Sequence, residues 1–174
     1  MSSQIVFLTH LVLGCVPWLL LFGAYIWPRL DAMDHFDAQR AIAALHSFRF
    51  FGLAFLLPGV VGPNLPVGFA MSAAYGNFAT GVLAMLALLA VRIRPLFWLL
   101  VLAFNLVGVA DIALDFYHAV QVNLPAVAGE LGALYAFLII YMPLQMISHV
   151  TAFYLLARSQ LNAFSSGLGD ATRS

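Results

Sequence analysis

Five apolar stretches, each long enough to cross a bilayer, alternate with short connections, and almost every arginine lies in alternate connections. A helix needs about 20 apolar residues to cross a hydrocarbon core of about 30 Å. Peptide groups left without hydrogen bonds are too costly there, so only helices or a closed barrel can span. Stretches of this length and character confine the chain to an all-α polytopic bundle of five transmembrane helices. Composition agrees, with 64% hydrophobic and 8% charged residues and a mean hydropathy of +1.00.

The spans are expected at about 4–27, 41–61, 73–91, 96–118 and 131–157, forming one domain over 1–158, with a polar tail at 159–174 that reads as disordered. The first gap holds Arg29 and Arg40, the third holds Arg92 and Arg94, and the tail begins after Arg158. The N-terminus and the second and fourth gaps hold no arginine. By the positive-inside rule this places the N-terminus outside and the C-terminus in the cytoplasm. Trp27 and Trp98 then fit the inner aromatic belt, and Tyr75, Tyr117 and Tyr135 the outer one. The Ala/Leu-rich, lysine-free style looks like that of small bacterial proteins of the cytoplasmic (inner) membrane, which is the location expected here.

Several chemistries are excluded. Without lysine there is no Schiff base or lysine nucleophile. A single cysteine, Cys15, rules out internal disulfides and cysteine-ligated clusters, and it reads as a small thiol packed in the first helix. Glu130 is the only glutamate, which is too few for a carboxylate-bridged di-iron centre. Neither a His-Glu-x-x-His zinc site nor a Gly-x-Ser-x-Gly elbow is present. Zero formal net charge offers no face for nucleic acid. The expected partners are the lipid bilayer and either further copies of the chain or a larger membrane complex.

Helix breakers are dense from Pro58 to Pro66, so the second span should end there in an apolar outer loop. Pro143 removes a backbone donor within the last span and leaves the Ile139 carbonyl without its usual partner, which predicts a kink. In the third span Gly76, Thr80 and Ala84 recur every four residues, a stripe that lets another helix approach closely.

Ionisable side chains at membrane depth are costly, and each marks a candidate functional position. By helical rise they fall into two layers. The inner layer holds His46 and Arg49 on one face of the second span, Asn105 on the fourth, and Gln145 and His149 on one face of the fifth. The outer layer holds His10, Asn77, Thr80, Asp111, Asp115, His118 and Tyr135. By depth His10 is the expected partner of Asp111.

An arginine with two histidines and two amides suits an anion or a carbonyl, so the leading expectation is a polar intramembrane pocket that binds or passes a small molecule or lipid. His46, Arg49, Asn105, Gln145 and His149 would line it. The plain alternative is that Arg49 snorkels to water while the histidines lock helix packing. A second functional reading is b-type haem held by His46 and His149, with Arg49 on a propionate. In that one respect the layout is similar to the bundle cytochromes b. A third is a non-catalytic subunit that docks by its small-residue faces. No resident cofactor or metal is expected in the leading reading, and no enzymatic motif is evident.

Overall fold

A computed structural model describes the backbone of residues 2–171 and the side chains of residues 2–158; the tail expectation for 159–174 lies outside the described side chains. Helix α1 (Ser3–Leu21) continues through a π-helical turn (Phe22–Ile26) into α2 (Trp27–Ala32). It is followed by α3 (His35–Ser47), a 3-10 segment (Phe48–Leu56), α4 (Val67–Leu89), α5 (Arg94–Gln121), two short 3-10 turns, and α6 (Leu134–Ala171). Four helices, Ser3–Ala32, Val67–Leu89, Arg94–Gln121 and Leu134–Arg158, are long and apolar enough to cross a membrane, which makes this a multi-pass membrane protein. The first runs past the expected 27, and the third begins at Val67 rather than near Ala73.

The segment expected as a second continuous span, 41–61, is instead α3 followed by nine residues of 3-10 helix, with loop from Leu57 onward. The reason is visible in burial. His46, Arg49, Gly52 and Phe55 are all buried, one every third residue, while Phe48, Phe50, Phe51 and Leu56 are exposed. A 3-10 helix has three residues per turn and stacks i and i+3 on one face, so tightening the helix keeps this row turned inward. Gly52 lies against the Asn77 side chain, and Gly81 of α4 lies against the backbone of Arg49 and Phe50.

The lipid phase is as apolar as leucine, so burial of hydrocarbon does little to join membrane helices. Close backbone approach and polar contacts do more. Helix α4 supplies the approach: Ala73, Ala74, Thr80, Gly81, Ala84 and Ala87 are buried along it, and it packs against α3, the 3-10 segment and α5. Part of this is the Gly76–Thr80–Ala84 stripe; Gly76 faces Asp111 of α5, and Thr80 donates to the Gly76 carbonyl at 2.9 Å.

Helix α1 lies outside this core, against α6, and buries only Phe7. Its docking point is the defect made by Pro143. The Ile139 carbonyl, which has no N–H four residues on, faces Gly14, where a Cβ would collide with it. One turn further along α1, Trp18 donates its indole N–H to the Ile140 carbonyl at 2.6 Å. At the other end of this helix Pro28 cannot donate to the turn before it, and the chain widens to a π turn there, with the Trp27 N–H reaching the Phe22 carbonyl. Arg29 supplies a donor to the Tyr25 carbonyl at 2.8 Å.

Two apolar clusters occupy the two ends of the bundle. One contains Phe36, Ile42, Phe97, Val101, Phe104 and Leu155, and the other Phe55, Leu65, Phe69, Leu124, Leu131 and Leu134. The first end carries the arginines: Arg94 sits 3.5 Å over the Phe36 ring, Arg40 pairs with Asp37 at 2.8 Å, and Arg158 pairs with Asp31. At the second end the loop 57–66 is latched to the turn before α6. Gly62 N–H donates to the Glu130 carbonyl at 2.7 Å, and Asn64 donates to the Glu130 carboxylate from its backbone at 3.0 Å and its amide at 3.3 Å. The chain's only glutamate thus closes that end.

A buried arginine layer and an adjoining cavity

Arg49 is 0% exposed, the largest fully buried side chain among the described residues. It does not snorkel. The 3-10 turn points it between α4, α5 and α6, where Nε donates to Asn77 Oδ1 at 2.9 Å, Nη1 donates to His149 Nε2 at 3.0 Å, and Nη2 pairs with the Asp111 carboxylate. Three of the five guanidinium N–H groups are therefore used, each toward a different helix.

The partners are themselves held. Asn77 donates its amide to the Ala73 carbonyl at 2.8 Å, and Asn105 donates to the Val101 carbonyl at 2.8 Å, each one turn back in its own helix. That leaves both amide oxygens turned inward, one for Arg49 and one for His149. Because His149 accepts at Nε2, it carries its proton on Nδ1 and donates to Asn105 Oδ1 at 2.8 Å. His46 stacks on His149 with centroids 4.0 Å apart and approaches Ser148 Oγ at 3.0 Å. Since the Ser148 hydroxyl donates to the Gln145 carbonyl, His46 Nε2 is the donor in that contact. Two glycines make room: a Cβ at Gly108 would meet His149 Nε2 and Arg49 Nη1, and one at Gly76 would meet the Asp111 carboxylate.

Of the expected inner group, His46, Arg49, Asn105 and His149 come together in one network, while the Gln145 side chain lies beside it with Nε2 buried and unpartnered. The division into two layers does not hold, because Asp111 and Asn77, both assigned to the outer layer, are direct partners of Arg49. His10 does not pair with Asp111. It meets the Tyr135 hydroxyl at 2.7 Å near the surface, because α1 packs on α6 rather than on α5. Two signals pointed to the true partner. Gly108 and Asp111 share a face of the fourth span with Asn105, and an arginine in mid-bundle needs a carboxylate more than an imidazole does. Ser148 and Asn77 were the residues whose roles in this network the sequence left unseen.

A haem between His46 and His149 does not fit. Axial ligands must aim a nitrogen at the iron from opposite faces of the macrocycle, whereas these rings lie face to face, and both His149 nitrogens are engaged.

The network is packed, but space adjoins it. A pocket of about 20 Å³, room for roughly one water, is lined by Asn77, Asp115 and Gln145 among apolar groups. Beyond Asp115 lies a cavity of about 320 Å³ walled by Phe7, Leu11, Phe69, Phe116, Leu138 and Met142. Among the described residues Asp115 is the one ionisable side chain lining both spaces, and its Oδ1 is buried without a partner there.

Fold and site together define a small multi-pass membrane protein built around an intramembrane arginine–aspartate pair. Within that class the chain belongs to the DUF8737 family, a domain of unknown function whose model matches residues 6–157. No curated protein and no solved structure matches the chain.

Proposed function

We propose that this is a five-span protein of a bacterial cytoplasmic membrane, N-terminus outside and C-terminus inside, that binds or passes a small molecule or lipid beside its arginine layer. The fifth crossing is the α3 and 3-10 stretch. Its 13 α-helical residues rise about 20 Å, and its nine 3-10 residues rise about 18 Å, more than the roughly 30 Å of a hydrocarbon core. Its outward face of Phe48, Phe50, Phe51 and Leu56 suits lipid. The arginine-bearing loops share one end of the bundle, which supports the orientation through the positive-inside rule.

The observation that carries the binding reading is the pair of unsatisfied groups at the wall of the space beside the arginine network. Arg49 and its partners are bonded to one another, yet Asp115 Oδ1 and Gln145 Nε2 are buried at the wall of the adjoining space with no hydrogen-bond partner among the described residues. Buried polar atoms are rarely left unpaired without a ligand or water to meet them. The cavity is of the size and apolar character of a small ligand site.

Native mass spectrometry of the protein released from a mild detergent tests this. A small molecule or lipid should remain bound to the wild type and be lost in Leu8→Trp, which plugs the cavity mouth at an exposed position. The same spectrum from both proteins, or no retained species in the wild type, would refute it.

A further inference from the structure

We propose that the cavity between α1 and α5 takes a lipophilic amine from the bilayer, its apolar body among the phenylalanines and its ammonium group on the Asp115 carboxylate. This rests on the binding reading above and names the ligand class.

Three features point to that class. First, the wall is almost wholly apolar and rich in aromatic rings, with Phe7 of α1, Phe69 of α4 and Phe116 of α5. Such rings favour a flat apolar body and attract a cation near their faces. Second, one carboxyl group at this depth is left without a partner among the described residues. Arg49 is matched by Asp111, and Asp115, one turn further along α5, has no cationic partner among the described residues. A carboxylate in this setting is a natural counter-ion for a bound cation, and the amine supplies both the charge and the donor that Oδ1 lacks. An anion or a carbonyl compound would face Asp115 with the wrong sign, and Arg49, the group that would receive it, is enclosed by its own partners.

Third, the cavity opens toward lipid. Leu8, Phe116 and Val120 on its lining are exposed, at 51, 38 and 76%. These residues belong to α1 and α5, whose packing against each other is slight because α1 is seated on α6 through Gly14 and Trp18. A ligand arriving there comes from the acyl chains, which excludes a strongly hydrated solute and favours one that partitions into membranes. The latched loops at Glu130 close the adjacent end of the bundle, so the lateral opening is the direct route.

The test compares 1-naphthylmethylamine with 1-naphthylmethanol, which share a ring system and differ in the charged group. Both are titrated by naphthalene fluorescence into the full-length protein in phosphatidylcholine nanodiscs, with empty discs as reference. The amine should bind the wild type at least about tenfold more tightly than the alcohol, as a charge-assisted contact implies. Asp115→Asn should remove that preference for the amine over the alcohol, and Asp115→Glu should restore part of it. Equal binding of the two probes by the wild type would overturn the amine assignment while leaving the binding site in place. Saturable binding of neither probe would overturn both the assignment and the reading on which it rests.

Discussion

Replacing Arg49 and Asp111 singly and together tests whether the buried pair, rather than the bulk of the side chains, holds the middle of the bundle. Arg49→Met removes the guanidinium and leaves the Asp111 carboxylate buried without its cation, and it deprives Asn77 Oδ1 and His149 Nε2 of their donors. Breaking a buried ion pair from one side costs about 3–5 kcal/mol. Each orphaned acceptor adds about 0.5 to 1 kcal/mol, since interhelical hydrogen bonds in membranes are individually weak. Asp111→Asn is nearly isosteric but leaves Arg49 without a counter-charge, at a similar cost of about 3–5 kcal/mol. The double variant has no unpaired charge, so only the orphaned acceptors remain. It should be more stable than either single variant, because removing the second charge relieves the cost of leaving it unpaired, and the coupling energy should be about 5 kcal/mol or more. Reversible unfolding by dodecyl sulfate in dodecyl maltoside micelles, followed by far-ultraviolet circular dichroism, measures all four proteins. Additivity within about 0.5 kcal/mol would refute the pairing argument and leave Arg49 as a filler of space.

Three further outcomes are expected. Gly76→Ala drives a methyl group into the Asp111 carboxylate and should destabilise by about 1–3 kcal/mol, whereas Gly68→Ala, with open space around it in the same helix, should be neutral or stabilise by up to about 1 kcal/mol; unfolding midpoints of the two variants separate the cases. Gly14→Leu should lift α1 from the Ile139 carbonyl and break the Trp18 bond, so that quenching of tryptophan fluorescence by brominated lipid increases; unchanged quenching would show that α1 docks some other way. In a Cys15→Ser background, cysteines placed at Asn64 and Arg92 should react with a membrane-impermeant maleimide from opposite sides, Asn64 in intact cells and Arg92 only after permeabilisation, and the reverse would invert the proposed orientation.

The spans were legible where they were long and uniformly apolar. Those of α1, α5 and α6 followed from composition, because a lipid-facing helix needs nothing more specific than length and hydrophobicity. The segment 41–61 was misread in form: its row of His46, Arg49, Gly52 and Phe55 has a period of three, and counting it with a period of 3.6 concealed the 3-10 helix. The site was legible by kind but not by pairing. His46, Arg49, Asn105 and His149 stood out as costly groups at membrane depth, and they do meet. Depth measured along separate helices cannot say which helices touch, and for that reason Asp111 was paired with His10 instead of Arg49.

Sequence alone determined that the chain is helical, that it belongs in a membrane, and that its arginines gather at alternate connections, because these depend on local hydrophobicity and on charge counted along the chain. It also located the defect at Pro143, a property of one residue. Tertiary structure decided the rest. It set Gly14 and Trp18 on the carbonyls around that defect, turned Arg49 onto Asp111 through a tightened helix, and left Asp115 facing a cavity between α1 and α5. In a solvent as apolar as the helices themselves, hydrophobicity does not choose helix neighbours. Small residues and buried polar pairs make that choice, and their complementarity exists only once the helices are side by side.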